Sequence, residues 1–261
     1  MHKYLRIWKQ LTSNAFSSYT SNRINSASFM LAKLLRFAAL WFMIISIFKF
    51  TDSFVGYSKY EILLFYVTFN FIDVITQAFF RGIYMFSRDI NRGSFDAILA
   101  RPVNPLFYSL TRLTDVLDML LLVPITTLLV YVAVSLPGSL TFLSIVLYIL
   151  FLIAGLLIAV GIHILTAALS IWTVENENII WFYRRAALIG SFPPETLSSF
   201  WRFFFMYILP ILLIVTMPSK ALLRTLTIPQ GLLMILLTVI FFGGSLLLWK
   251  VSLRHYSSAS S

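Results

Sequence analysis

The sequence predicts an all-α integral membrane protein, and three observations support this fold class. Of the 261 residues, 59% are hydrophobic and only 11% are charged, which lies outside the range of soluble globular domains. Several apolar runs reach the roughly 20 residues that a helix needs to cross about 30 Å of hydrocarbon. Between these runs, no stretch is long enough for a soluble domain of about 100 residues. We therefore expect a single transmembrane domain over residues 1–261.

The first 28 residues are basic and lack the short apolar core and cleavage site of a secretory signal peptide. Residues 3–19 show helical periodicity, with apolar side chains on one face and basic or polar side chains on the other. We expect an amphipathic helix that lies at the membrane surface against lipid headgroups; a mobile basic tail is the alternative. No acidic residue precedes Asp52, so the rule that cytoplasmic segments are rich in lysine and arginine predicts a cytoplasmic N-terminus.

The first two spans are predicted at residues 29–50 and 60–80, joined by a short outer loop. The second span carries polar side chains at steps of three and four residues, which places them on one helix face. They are Asn70, Asp73, Gln77 and Arg81. Such a face is unfavourable toward lipid. It either lines a water-filled path or gate, or forms a hydrogen-bonded face inside a helix bundle or dimer interface.

The third span is predicted at residues 113–134. It begins with Asp115 and Asp118 on the same face as Arg112, and we expect these carboxylates to form local ion pairs near the inner membrane surface. The next apolar run, residues 140–173, is too long for one untilted span and too short for two spans with a turn. We expect one long helix there, in which His163 is a packed polar group.

The segment that follows allows two interpretations. Hydropathy alone favours a fifth span at residues 200–217, with Arg184 and Arg185 in a cytoplasmic loop. The alternative is a shorter fifth span at residues 178–192, followed by an outer hairpin at 193–225 that dips into the membrane and must be buried by protein. In both cases a sixth span at residues 228–250 ends in basic residues, which predicts a cytoplasmic C-terminus.

A hydrophilic stretch, residues 81–112, separates the second and third spans. It contains five arginines and only two aspartates. The abundance of basic residues in cytoplasmic loops accounts for this sign, and for the net charge of +10, so nucleic acid is not expected as a partner.

The sequence lacks the common catalytic motifs. There is no GxxxxGK[ST] nucleotide-binding loop, no HExxH and no GxSxG. Cysteine is absent, which excludes disulfides, thiolate metal sites and cysteine nucleophiles. We therefore expect neither an enzyme nor a chain with its own metal or cofactor.

The order of residues within the hydrophilic stretch is more specific than its charge. Residues 87–110, SRDINRGSFDAILARPVNPLFYSL, resemble the cytoplasmic loop between the second and third spans of ATP-binding-cassette (ABC) permeases of the type 2 transporter class, in particular bacterial exporters. The matching positions are Gly93, Phe95, Asp96, Leu99, Arg101, Pro102, Pro105 and Tyr108. Residues 170–180 and 190–223 resemble later parts of the same class, through Phe192, Pro193, Trp201, Pro210, Pro218 and Ala221. The resemblance covers nearly the whole chain in span order.

This resemblance implies partners and a division of labour. Two six-span permeases, either two copies or this chain and a related one, would form the path through the membrane. Two separate ABC ATPase subunits would bind ATP and Mg beneath them. The loop would carry a coupling helix that docks on the ATPase, with its apolar side chains in a groove and its charged ones against complementary rim groups. The implied docking residues are Arg88, Asp89, Arg92, Phe95, Asp96, Ile98, Leu99 and Arg101, together with Glu175 and Glu177.

The resemblance also favours the shorter fifth span and the outer re-entrant hairpin. Arg184 and Arg185 would then lie at membrane depth, where a cationic side chain costs a few kcal/mol. At least one of them should face the translocation path or pair with a carboxylate. The candidate path residues are Asn70, Asp73, Gln77, Arg184 and Arg185.

The implied function is the membrane subunit of an ATP-driven exporter of an amphipathic or lipid-like substrate in the bacterial inner membrane. A channel, an ATP-independent carrier and an intramembrane enzyme are the alternatives.

Overall fold

The computed structural model describes residues 2–21, 23–138, 140–173 and 179–257. Throughout these ranges the regular structure is helical. The α-helices are α1 (His2–Ser21), α2 (Arg23–Ile47), α3 (Lys59–Phe80), α4 (Phe86–Asn91), α5 (Ser94–Leu99), α6 (Pro105–Thr111), α7 (Val116–Val134), α8 (Phe142–Trp172), α9 (Ile179–Ala187), α10 (Ser199–Phe203), α11 (Ile211–Leu222) and α12 (Ile228–Arg254). Within the described ranges, five segments can cross a membrane by length and composition: α2, α3 with its continuation to Asn91, α7, α8 and α12. The bent pair formed by α10 and α11 raises the number to six if it counts as one span. The predicted all-α membrane fold is confirmed.

Helix boundaries differ from the predicted span limits where polar groups, not hydropathy, decide them. Helix α2 already includes residues 23–28, ahead of the predicted limit at residue 29, because a helix continues beyond the hydrocarbon without needing apolar side chains. Helix α7 begins at Val116 instead of residue 113. Its start is fixed by Asp115, whose carboxylate accepts hydrogen bonds from the backbone N–H groups of Leu117 and Asp118 at 3.0 and 3.3 Å, as a helix N-cap does.

Helix α3 occupies the centre of the bundle. Its residues from Ile62 to Asn70 are all buried, because α2, α7, α8 and α11 pack around it. Two hydroxyl groups tie it to its neighbours. Tyr66 donates to the carbonyl of Phe37 in α2 at 2.8 Å, and the hydroxyls of Thr68 and Tyr148 of α8 are 3.0 Å apart. These two contacts fix the middle of α3 against α2 and α8.

The long helix α8 packs closely against α11 and α12 through glycines. A Cβ atom at Gly155 would lie 2.6 Å from the carbonyl oxygen of Ile214, and one at Gly161 would lie 3.3 Å from the Cα of Phe242. Small residues allow helix backbones to approach in this way. The predicted single long helix is thus present, and its length serves to hold both later helices.

Contacts between distant residues define two ends of the bundle. We call the end that carries α4, α5 and α6 the loop end. There Tyr256, just after α12, donates to Asp96 at 3.0 Å, and the ring of Tyr4 in α1 lies 4.9 Å from that of Phe107. At the opposite end, Glu195 accepts a hydrogen bond from Tyr57 at 3.2 Å. Helix α1 and the end of α12 therefore lie at the same end as the hydrophilic stretch.

The chain from α9 to α11 follows the path of the shorter fifth crossing. Trp181 stacks on Tyr84 near the loop end, with ring centroids 5.3 Å apart, whereas Glu195 reaches Tyr57 at the opposite end. The described part of this crossing consists of the nine residues of α9 and a 3₁₀ turn of four residues. Within the described residues, length and composition identify five single spans, and α9 is not one of them.

The hairpin that follows is bent by 91° between residues 208 and 211. Helix α11 starts in the interior, where Gly190 lies beside the carbonyl of Ile211. It runs back to Lys220, whose ammonium lies 3.3 Å from the Glu195 carboxylate at the opposite end. Nearly all of α11 is buried, which meets the requirement that non-spanning backbone at membrane depth be covered by protein.

We predict that Gly155→Ala destabilises the bundle, because the new methyl group must displace the α11 backbone rather than a flexible side chain. Overpacking of this kind costs about 1–3 kcal/mol. The matched control is Gly243→Ala in α12, where an added Cβ meets nothing within 4 Å. Thermal unfolding of the detergent-purified protein should show a lower midpoint for the first variant only. Equal midpoints would contradict the close packing of α8 on α11.

Candidate functional site

The segment between α3 and α7 is folded tightly by two glycines. Gly93 separates α4 from α5 and has φ +67°, a left-handed conformation that favours glycine. Gly82 lies in the 3₁₀ turn after α3, where a Cβ would come within 2.1 Å of the carbonyl oxygen of Ser109 in α6. The short helices α4, α5 and α6 are thus packed against one another and against the bundle.

The inner face of α5 is part of the protein core. Phe95 has 0% of its surface exposed, and Ile98 is buried as well. The Phe95 ring lies 5.0 Å from that of Phe86, 6.4 Å from Trp249 and 5.1 Å from Tyr256. The expectation that Phe95 and Ile98 enter a groove on a partner is therefore wrong. They anchor α5 to α4 and α12, because this aromatic cluster of the same chain removes their apolar surface from water.

The outer face of α5 and the residues around it are exposed on the surface of this chain. Leu99 is 39% exposed, and Arg88, Arg92 and Arg101 are exposed around it. Arg101 donates to the Tyr108 hydroxyl at 2.5 Å, with its guanidinium 4.7 Å from that ring. These four predicted docking residues therefore lie on the surface of this chain. Glu175 and Glu177 lie outside the described residues.

Two predicted docking carboxylates are engaged within the chain. Asp89 is buried and forms an ion pair with Arg112. Asp96 accepts the hydrogen bond from Tyr256, and burial together with this acceptor raises the pKa of Tyr256 to about 12. Asp89 is therefore a structural residue, and Asp96 connects α5 to the end of α12.

An ion cluster joins three helices at the loop end. The ammonium of Lys33 in α2 lies 2.5 Å from Asp118 and 3.4 Å from Asp115, and Arg81 at the end of α3 also pairs with Asp115. The predicted ion pairing of these two aspartates is confirmed, but their partners come from other helices and not from Arg112. The sequence does contain a signal for the pairing of Lys33 with the aspartates, because these ionisable groups lie at similar depth in different predicted spans.

The polar face of α3 continues into α9 through hydrogen bonds. The Gln77 amide donates to Asp73 at 2.6 Å, and Arg184 donates to the Gln77 oxygen at 2.9 Å. Arg184 also lies 3.8 Å from the Asp73 carboxylate, and its guanidinium is 5.3 Å from the ring centroid of Tyr84. One of the two adjacent arginines thus has the carboxylate contact that its cost at membrane depth requires.

A cavity of about 410 Å³ lies between α2, α3 and α9. We call it the basic cavity, because it is lined by five cationic side chains and one carboxylate. Its lining residues are Phe29, Ala32, Lys33, Arg36, Phe69, Asp73, Gln77, Arg81, Trp181, Arg184, Arg185 and Leu188. Four of the five predicted path residues line this cavity: Asp73, Gln77, Arg184 and Arg185. Asn70 does not line it.

A second cavity of about 240 Å³ adjoins it between α2, α3 and α7. We call it the apolar cavity, since most of its walls are apolar. Asn70 lies here, and its amide donates to the Tyr66 carbonyl of the preceding turn at 2.7 Å. The two cavities share Lys33, Arg36 and Gln77 as lining residues. Sequence reasoning missed Lys33, Arg36 and Trp181 as lining residues, because nothing in a single span shows which face meets a distant helix.

The described residues contain no group of three or more metal-ligating side chains that could hold a metal ion. His163 is buried in α8; its Nδ1 lies 2.8 Å from the Ala159 carbonyl, and its ring packs edge-on against Tyr84 and Tyr183. It behaves as the packed polar group that the sequence predicts.

We predict that the Asp73 and Arg184 side chains are energetically coupled. Asp73→Asn and Arg184→Met should each lower stability by about 1–3 kcal/mol, since each leaves a partly buried charge without its partner. The double variant should lose less than the sum of the two. Arg185→Met, the exposed neighbour in the same helix, is the control and should have little effect. Thermal unfolding in detergent tests this, and equal losses for Arg184→Met and Arg185→Met would contradict the coupling.

Comparison with known protein families identifies one family that matches this chain. The model of a family described as ABC-2 family transporter protein matches residues 34–260. No curated protein and no solved structure matches the chain. The matched range contains the loop-end helices, the hairpin and most of the residues that line the two cavities. The chain therefore belongs to the ABC-2 transporter family, and it is a multi-pass membrane component of the permease type.

Proposed function

We propose that this chain is the membrane-spanning subunit of an ATP-driven exporter that moves an amphipathic or lipid-like substrate across the bacterial inner membrane. The observation that carries the proposal is the two-sided helix α5. One face is fixed in the core of this chain through Phe95, and the other presents Leu99 among exposed arginines. A helix with this arrangement can receive a force at its outer face and transmit it through its inner face.

The transmission would run from α5 into the last helix. Phe95 contacts Trp249 of α12, and Asp96 is bonded to Tyr256 just beyond α12. Helix α12 in turn packs along α8, and α4 also contacts α8. Because packed cores move as discrete units instead of deforming continuously, a displacement of α5 would carry α12 and α8 with it.

The outer face of α5 suits a docking partner of complementary charge. Leu99 offers an apolar contact, and Arg88, Arg92 and Arg101 surround it with exposed cations. An interface built from an apolar centre and a charged rim needs a partner groove with acidic edges. We assign this role to two separate ABC ATPase subunits, which would bind ATP and Mg, since this sequence has no GxxxxGK[ST] loop.

The proposed complex also contains a second permease, either another copy of this chain or a related one. The loop end is assigned to the cytoplasm, because α1, the hydrophilic stretch and the end of α12 together bring ten of the twenty lysines and arginines to that end. A carrier without an ATPase would leave the exposed face of α5 without a role.

We predict that Leu99→Asp abolishes docking of the ATPase. An apolar side chain at the centre of an interface contributes about 2 kcal/mol, so the amount of ATPase that co-purifies with the tagged permease should fall at least about tenfold. The control is Leu113→Asp at the loop end, because Leu113 is 40% exposed and lies outside α5. Phe95 is unsuitable for this test, since a charge at a buried position would disrupt the fold.

The measurement is affinity purification from native membranes, with mass spectrometry to identify a retained protein that carries a GxxxxGK[ST] motif. The wild type and Leu113→Asp should retain it, and a well-folded Leu99→Asp protein should not. Equal retention by both variants would refute the docking role of α5.

A further inference from the structure

We propose that the basic and apolar cavities together form one substrate site for an amphiphile with an anionic headgroup. The headgroup would bind between Arg36 and Arg185 in the basic cavity, and the start of its hydrocarbon tail would lie in the apolar cavity. This inference rests on the proposed transport function and adds the chemical class of the substrate.

The first step of the argument is the charge of the basic cavity. Its five cations are Lys33, Arg36, Arg81, Arg184 and Arg185. Three carboxylates neutralise part of this charge: Asp73 pairs with Arg184, and the Asp115 and Asp118 carboxylates pair with Lys33 and Arg81. Among the residues that the structure describes, two positive charges of this cavity remain without a carboxylate.

The remaining charges belong to Arg36 and Arg185. Both side chains are exposed and line the cavity, and in the described part of the chain neither has a hydrogen bond or an ion pair. They lie on different helices, α2 and α9, so an anion between them would connect two walls of the cavity. A guanidinium presents several N–H donors in a fixed plane that matches phosphate or carboxylate oxygens.

The second step is the junction between the two cavities. Arg36 lines both of them, so a ligand held at this guanidinium has access to each. The walls of the apolar cavity are mostly hydrocarbon: Leu34, Phe37, Ala38, Val74, Leu121, Pro124, Ile125 and Leu128. A molecule with a charged head and an apolar tail satisfies both environments, whereas a fully polar solute would leave the second cavity unfilled and a neutral lipid would leave two cations unpaired.

A third observation concerns the helix that closes both cavities. Only 6% of the apolar window of α2 is buried within the chain, so most of the surface of this helix is not covered by the rest of the chain. Phe29 and Leu34, which line the two cavities, are themselves 37% and 42% exposed. An amphiphile from the surrounding membrane would therefore meet the site at the edge of α2 without crossing the core of the bundle.

The test is a binding measurement on the permease in nanodiscs of phosphatidylcholine. The probe is a fluorescent lysophosphatidic acid, and a lysophosphatidylcholine with the same tail and label provides the zwitterionic comparison. Anisotropy should show saturable binding of the first probe and weaker binding of the second. Arg36→Gln combined with Arg185→Gln should weaken binding of the acidic probe by at least about tenfold, since two charge-assisted contacts are lost.

The matched control is Lys9→Gln combined with Arg23→Gln, which removes two exposed cations outside the cavities. It should change the affinity less than twofold, which separates a specific site from general attraction to a basic surface. Equal binding of the two probes, or unchanged binding in the cavity variant, would overturn the proposal. Competition with inorganic phosphate tests the tail: displacement at the concentration at which unlabelled lysophosphatidic acid displaces would show a free-anion site and overturn the amphiphile assignment.

Because no ATPase is present in this experiment, its failure leaves the co-purification result for Leu99 unaffected. A negative co-purification result likewise leaves the binding result unaffected. The two proposals can therefore fail separately.

Discussion

The position of α2, α3 and α7 at the loop end depends on Asp115. This residue is 0% exposed, and each of its polar groups has a task. Its carboxylate caps α7 and meets Lys33 from α2 and Arg81 from the end of α3. Its backbone N–H donates to the carbonyl of Ala78 at 3.1 Å. A buried carboxylate is costly unless cations and N–H groups surround it, so the three helices must meet at this point for the charge to be accommodated.

The same constraint explains how α2 is held. Little of this helix is buried, and hydrophobic packing alone fixes it weakly because lipid is as apolar as leucine. Its specific attachments are Lys33 to the aspartates and the Phe37 carbonyl to Tyr66. Both attachments lie on the side that faces the cavities. A helix held by a few polar contacts is suited to act as a movable wall, and the ions that hold it are those that set the charge of the basic cavity.

The sequence predicts the helices well, because hydropathy and residue periodicity act within one segment. It also predicts that an arginine at membrane depth needs a carboxylate, and Arg184 beside Asp73 agrees with this argument. The sequence does not predict which surface covers an apolar helix face. Phe95, Ile98 and Leu99 have helical spacing that fits a groove on another protein as well as the chain's own α12. Phe95 and Ile98 are in fact buried within the chain, and Phe95 packs against Trp249 and Tyr256, more than 150 residues later in the sequence. The sequence pattern therefore indicates that an apolar face must be covered, and the packing of distant segments determines which surface covers it.

Besides the proposed route from α5 into α12, a second route would connect docking with substrate binding at Arg81. It pairs with Asp115, lines the basic cavity and begins the 3₁₀ turn that leads through Met85 into α4. Helix α4 contacts α5, so a force on the outer face of Leu99 has only a short path to the Arg81 guanidinium. If that path moves Arg81 away from Asp115, the buried carboxylate loses one of its two cations and its hold on Lys33 must change as well. Lys33 stands at the junction of the two cavities, and a change in its pairing alters the charge that a bound headgroup meets. An ATPase on α5 would in this way act on the substrate through the electrostatics of one buried aspartate, in addition to the displacement of α12 and α8.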